Sequence, residues 1–147
     1  MSTKKDKFTK KDIQYMTLAL NLARSRHGLT GQNPSVGCVI VKNDEIISIG
    51  QTGYFGRPHA EYNAIKNSNE NLKGSKMYVT LEPCNHFGQT PPCTKEIIKN
   101  KIQEVIYSIE DIDKKVKGKS FKIFKSNNIN VKKGLLKEKI EIFYNPY

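Results

Sequence analysis

Four of the six histidine and cysteine residues fall in two short segments, Pro58-His59-Ala60-Glu61 and the stretch running from Glu82-Pro83-Cys84 through His86 to Pro91-Pro92-Cys93. One imidazole and two thiolates suit a borderline-soft ion such as zinc, and three protein ligands are one fewer than a closed structural zinc site uses. A fold that uses this set must therefore bring His59, Cys84 and Cys93 to one ion and leave a fourth position for water. Zinc bound in that way lowers the pKa of its water to about 7, so hydroxide becomes available at neutral pH.

Hydroxide alone does not remove an amino group from a ring. A proton must leave the water, another must reach a ring nitrogen, and the departing amine must be protonated. Glu61 is the candidate carrier. Residues two apart do not share a face in mid-helix, so His59 and Glu61 can approach one ion only if His59 stands at a helix entry, just after Pro58. Alone, His59 reads as an ordinary surface or core residue, and Cys84 or Cys93 as a small buried hydrophobe. Together, His-x-Glu followed by two Pro-Cys pairs matches the signature of zinc-dependent deaminases. The third cysteine, Cys38, lies in an apolar run and reads as buried and inert; as a fourth ligand it would close the site.

The rest of the chain alternates strand and helix patterns. Thr9 to Gly28 reads as a first helix, capped by Thr9, with Ile13, Met16, Leu20 and Ala23 at helical spacing and Gly28 as its stop. Val36 to Lys42 and Glu45 to Ile49 read as a hairpin turning at Asn43-Asp44. A helix over His59 to Asn67, a strand over Met77 to Leu81, and a loop over Glu82 to Pro92 follow. Thr90 with the two prolines starts a helix over Cys93 to Lys101. Val105 to Ile109 and Ile129 to Lys132 read as strands, Phe121 to Ser126 and Leu135 to Phe143 as helices. This order predicts a three-layer α/β/α domain around a five-stranded mixed sheet, with an antiparallel hairpin beside parallel strands. Residues 1–147 read as one domain, without repeat or linker.

Composition excludes several function classes. No apolar run is long enough to span a membrane, and the lysine-rich start lacks the apolar core of a secretory signal. Three cysteines argue against a disulfide framework, and these features together point to the cytoplasm. The net charge of +11 raises a nucleic-acid partner, yet 22 of the 25 cationic residues are lysine. Nucleic-acid readers favour the arginine fork, so a diffusely basic surface, which also attracts small anions, is the preferred reading.

The chain resembles the diaminohydroxyphosphoribosylaminopyrimidine deaminases of riboflavin biosynthesis, within the cytidine-deaminase-like superfamily. Asn33-Pro34-Ser35-Val36-Gly37-Cys38-Val39-Ile40-Val41, Pro58-His59-Ala60-Glu61, Tyr78-Val79-Thr80-Leu81-Glu82-Pro83-Cys84, and the His86, Gly88 and Thr90-Pro91-Pro92-Cys93 that follow carry the likeness, as does the Ile97-Ile98 helix. Eight residues separate Cys84 from Cys93, whereas the tRNA adenosine and cytidine deaminases typically place only two there. The resemblance implies a hydrolase: Zn2+ held by His59, Cys84 and Cys93, proton transfer by Glu61, and substrate contacts from Asn33 and His86. Asn33 alone, ahead of Pro34, reads as a turn residue. The implied reaction converts the phosphorylated diaminopyrimidine to 5-amino-6-(5-phosphoribosylamino)uracil and ammonia. The resemblance also implies a homo-oligomer and a separate or fused reductase partner; no reductase domain is read within the 147 residues. Two positions and one four-residue segment depart from the family. Thr52 stands where a histidine is usual and Gln89 where lysine or arginine is usual, both positions associated with the ribose or phosphate end, and Asp111-Ile112-Asp113-Lys114 replaces Asp-Pro-Asn-Pro. The rival readings are a nucleoside or tRNA deaminase of the same superfamily and a non-catalytic, zinc-stabilised binding module.

Overall fold

A computed structural model of the chain describes residues 6–85, 91–111, 113 and 117–145. Helix α1 (Lys10–Ser25) begins with a capping box in which Asp12 N donates to Thr9 Oγ1 at 3.1 Å and Thr9 N donates to Asp12 Oδ2 at 2.9 Å. Two backbone donors that the first turn cannot satisfy internally are thereby paired. The helix ends at Ser25 rather than Gly28, because Arg26 N turns back to Ala23 O and Arg24 O; Gly28, with φ +82°, lies in the turn beyond. Met16, Leu20 and Ala23 are buried as their spacing predicts, together with Ala19, while Ile13 stays 42% exposed.

Strands β1 (Gly37–Lys42) and β2 (Glu45–Gln51) form the expected hairpin. Asn43 and Asp44 both adopt left-handed φ, +52° and +62°, the pair of conformations that lets a two-residue turn follow the strand twist. β2 runs beyond Ile49 through Gly50. A side chain at Gly50 would overlap Ala60 O and Ala64 N, so glycine is what allows the next helix to lie directly on the strand. A short 3-10 turn, Tyr54–Gly56, leads into α2 (Ala60–Asn67), and β3 (Lys76–Leu81), α3 (Cys93–Lys99), β4 (Glu104–Ile109), α4 (Lys119–Ser126), β5 (Asn130–Lys133) and α5 (Lys137–Tyr144) follow.

The sheet order is β2-β1-β3-β4-β5, with β1 antiparallel to both neighbours and β3, β4 and β5 parallel. Alternation along the strands divides the core into two layers. Cys38, Ile40, Met77, Val79, Val105, Tyr107 and Val131 face Ala60 and Ala64 of α2, Ile97 of α3 and Phe124 of α4. On the other side, Val39, Val41, Tyr78 and Ile106 pack on Met16, Ala19 and Leu20 of α1 and Ile140 of α5. The fold is the predicted three-layer α/β/α arrangement. Among the described residues, no helix is long and apolar enough to cross a membrane. The parallel strands point their C-terminal ends the same way, and in such sheets the loops leaving those ends form the ligand crevice.

Candidate metal centre and active site

His59 is the cap residue of α2, with extended backbone (φ −66°, ψ 157°), and Glu61 lies in the first helical turn. That is the helix entry the two-residue spacing requires. Cys93 is the first residue of α3, behind Pro92, which caps the helix without a side-chain bond. The expected hydroxyl cap, Thr90, lies outside the described residues, as do His86 and Gln89. Cys84 sits in the loop after β3, and the start of α3 holds it: Cys93 N donates to its sulfur at 3.1 Å and Thr94 N donates to its carbonyl at 3.1 Å. The amides and dipole of a helix start favour the thiolate form.

These elements bring the three predicted ligands together. His59 Nδ1 lies 3.6 Å from Cys84 Sγ and 3.6 Å from Cys93 Sγ, and the three ligand atoms all lie within 4.8 Å of one another. A tetrahedral zinc ion with nitrogen at 2.0–2.1 Å and sulfur at 2.3 Å separates nitrogen from sulfur by about 3.6 Å. The donor set and its spacing therefore fit zinc, with His59, Cys84 and Cys93 as the residues that would hold it. Cys38 is wholly buried on β1 and is not among them. Burial pushes its thiol well up, and the nearby Glu61 charge adds to the effect.

The side chains of this cluster shift one another's proton affinity. The Cys84 thiol is drawn down to about 4, first by its hydrogen bond from the Cys93 thiol and also by His59. The Cys93 thiol is raised, chiefly because it donates to Cys84 and is buried. His59 is raised through its hydrogen bond to Cys84. Glu61 is 4% exposed, and desolvation, with the Cys84 charge adding, pushes it up to about 7. The Cys93 thiol and the Glu61 carboxylate influence each other's protonation as well, so the carboxylate and the sulfurs belong to one cluster. A buried carboxyl poised near neutrality can take up and release a proton at working pH.

Asn33 is half-buried in the loop ahead of β1, where Nδ2 donates to Gly56 O at 3.0 Å. Phe55 N donates to Leu29 O at 2.9 Å, so the loop before β1 and the loop before α2 are laced together. The amide of Asn33 retains a second N–H and an acceptor oxygen. Thr52 is 1% exposed, and its Oγ1 accepts from Val36 N at 2.9 Å, so its hydroxyl serves the backbone at the β1–β2 end. Sequence reasoning assigned no role to Glu82 or Tyr144. Tyr144 OH donates to Ser35 O at 2.7 Å and lies 2.7 Å from Thr80 Oγ1, linking α5 to the Asn33 loop. Neither contact follows a local pattern, since its partners are distant in sequence.

Residues 9–109 match the family model described as the cytidine and deoxycytidylate deaminase zinc-binding region. The chain is 47% identical to a diaminohydroxyphosphoribosylamino-pyrimidine deaminase of Buchnera aphidicola subsp. Schizaphis graminum, over 86% of each protein. In structure it is similar to Acinetobacter baumannii RibD, with a TM-score of 0.84 at 38% identity over 93% of this chain. It is also similar to the diaminohydroxyphosphoribosylaminopyrimidine deaminase/5-amino-6-(5-phosphoribosylamino)uracil reductase of Thermotoga maritima, with a TM-score of 0.82 at 38% identity over 89% of this chain. The chain spans 38% of the length of each of those two structures.

Proposed function

This chain belongs to the cytidine and deoxycytidylate deaminase family, and we propose that within it the chain carries out the deamination of riboflavin biosynthesis, converting diaminohydroxyphosphoribosylaminopyrimidine and water to 5-amino-6-(5-phosphoribosylamino)uracil and ammonia. The observation that carries this reading is the meeting of His59, Cys84, Cys93 and the buried Glu61 in a chain that shares 47% identity with an enzyme of that name over most of both proteins.

Bound by His59, Cys84 and Cys93, zinc supplies positive charge and an open position at which water is readily deprotonated. Glu61 takes a proton from the attacking water and delivers one to the ring nitrogen next to the amino-bearing carbon. As the tetrahedral carbon collapses, Glu61 takes the proton of its new hydroxyl and passes it to the amine, so the carbonyl forms as the C–N bond breaks and ammonia departs. Burial shields the carboxyl from bulk solvent during this exchange, and bound zinc would draw it toward the ionised form that accepts a proton. Asn33, through its remaining amide groups, and His86 contact the substrate away from the reacting carbon.

The reading extends to self-association into a homo-oligomer, a cytoplasmic setting and a reductase that acts next, either separate or joined to this domain. The Thermotoga relative, whose name includes that reductase, supports the last of these. The experiment is ammonia release from the phosphoribosylated diaminopyrimidine, cytidine, deoxycytidylate and tRNA, assayed in parallel with zinc-loaded protein. The expected result is turnover of the first at least about 100-fold above the others in kcat/KM, a gap of about 2.7 kcal/mol in transition-state binding. Preference for tRNA or a nucleoside would replace this reading with the other deaminase, and no turnover of any substrate would favour a binding module.

A further inference from the structure

Glu82 is the first residue past β3 and stands two positions before Cys84. It is 4% exposed, yet no cation pairs with it among the described residues. Four donors surround its carboxylate instead. Oε1 accepts from Asp111 N at 3.1 Å and Gly118 N at 3.1 Å, and Oε2 accepts from Ser120 N at 3.3 Å and Ser120 Oγ at 2.5 Å. Its backbone is tied to the same place, since Glu82 N donates to Ile109 O at 2.9 Å.

The partners explain the charge. Asp111 lies just beyond β4, and Gly118 and Ser120 form the entry to α4. Gly118 is the cap residue of α4, with φ +76°, and offers no side-chain oxygen to the free amides behind it. The carboxylate of Glu82 takes that place from the end of the neighbouring β3, where the helix start favours an anion. β3 and β4 are parallel and in register at Leu81 and Ile109, so the backbone leaving one emerges beside the backbone leaving the other. The segment carrying Cys84 and the segment carrying Asp111 are thus joined at the carboxyl ends of the strands, where a sheet of this type admits its ligand.

We propose that Glu82 is a positioning residue for the deamination site: by capping α4 from the metal-binding segment, its carboxylate holds the backbone at Asp111 and Gly118 as one wall of the substrate pocket. This rests on the deaminase reading above. The hydrogen bonds of the Glu82 carboxylate go to Asp111, Gly118 and Ser120 rather than to His59, Glu61, Cys84 or Cys93, so its loss acts on how substrate is held more than on proton transfer.

The test compares Glu82→Gln with the wild type on the substrate that the wild type turns over. Gln keeps the size but loses the charge and presents an N–H₂ group to donors, so at least one of the four bonds becomes a donor-to-donor clash. The expected result is one zinc per chain, a KM raised at least about tenfold, a kcat within about threefold, and faster hydrogen exchange at the Asp111, Gly118 and Ser120 amides. Glu82→Asp, which keeps the charge, recovers part of the KM. If the Gln variant does not fold, Ser120→Ala removes one donor, leaves the carboxylate, and is expected to raise KM by about threefold. Unchanged KM in the folded Gln variant, or in Ser120→Ala when Gln does not fold, overturns the proposal, as does a fall in kcat with KM constant. Wild-type turnover of a different pyrimidine would sink the functional reading but not this test, which would then be run on that substrate.

Discussion

Glu61→Gln is expected to lower kcat by about 10²–10⁴-fold while zinc content stays at one per chain. The side chain is 4% exposed, so an amide of the same shape fills its place without opening the cluster to solvent. The amide cannot accept a proton from water or hand one to the ring and the leaving amine. Because the reaction asks one group for more than one transfer, the loss belongs near the upper end of that range. The carboxyl sits near 7 from desolvation, with the charge of Cys84 adding; a dication among the sulfurs would draw it lower and keep it ready to accept. Steady-state ammonia release and metal analysis of the same preparation check both halves. Activity within tenfold of wild type would remove Glu61 from the proton path.

Gly37→Ala is expected to prevent stable folding, because a Cβ at this position would overlap Ala19 O and crowd Ala23 N, both of them backbone atoms of α1. Neither atom belongs to a flexible side chain that can swing aside. Strand β1 would have to separate from α1, opening the layer of Met16, Leu20, Val39 and Tyr78. Overpacking of a well-packed core typically costs 1–3 kcal/mol, and a clash between two backbones lies above about 3 kcal/mol, a large share of the stability of a domain this size. The shift would also break the bond from Gly37 N to Thr80 Oγ1, which belongs to the Thr80–Tyr144–Ser35 chain behind the Asn33 loop. Thermal unfolding of the soluble fraction is the check, and a Tm within about 3 °C of wild type would contradict the close approach.

Much of this arrangement is legible in local patterns. Asn43-Asp44 between two β-branched runs specifies the hairpin, and Thr9 with Asp12 three residues on specifies the start of α1, since each depends on neighbours in sequence. His59 after Pro58 implies a helix entry, and it is one. The misses have a common physical origin in tertiary contact. β2 continues through Gly50 because α2 needs the space there, while glycine reads locally as a strand breaker. α4 starts two residues before Phe121 because a carboxylate from the loop just past β3 caps it. Ile13 fits the helical stripe but lies at its edge, where α1 no longer faces the sheet and the side chain is partly exposed. At the site, the grouping of His59, Cys84 and Cys93 follows from residue chemistry and rarity. The Glu82 clamp and the Tyr144 link carry no local signal, because each joins segments dozens of residues apart.

Zinc-edge X-ray absorption on the purified, substrate-free protein tests the centre of this account most directly. Two sulfur neighbours at about 2.3 Å and two lighter atoms, one imidazole nitrogen and one solvent oxygen, near 2.0–2.1 Å are predicted for each zinc. A third sulfur, which only Cys38 could provide, or protein purified and reloaded without retaining a metal, would contradict it.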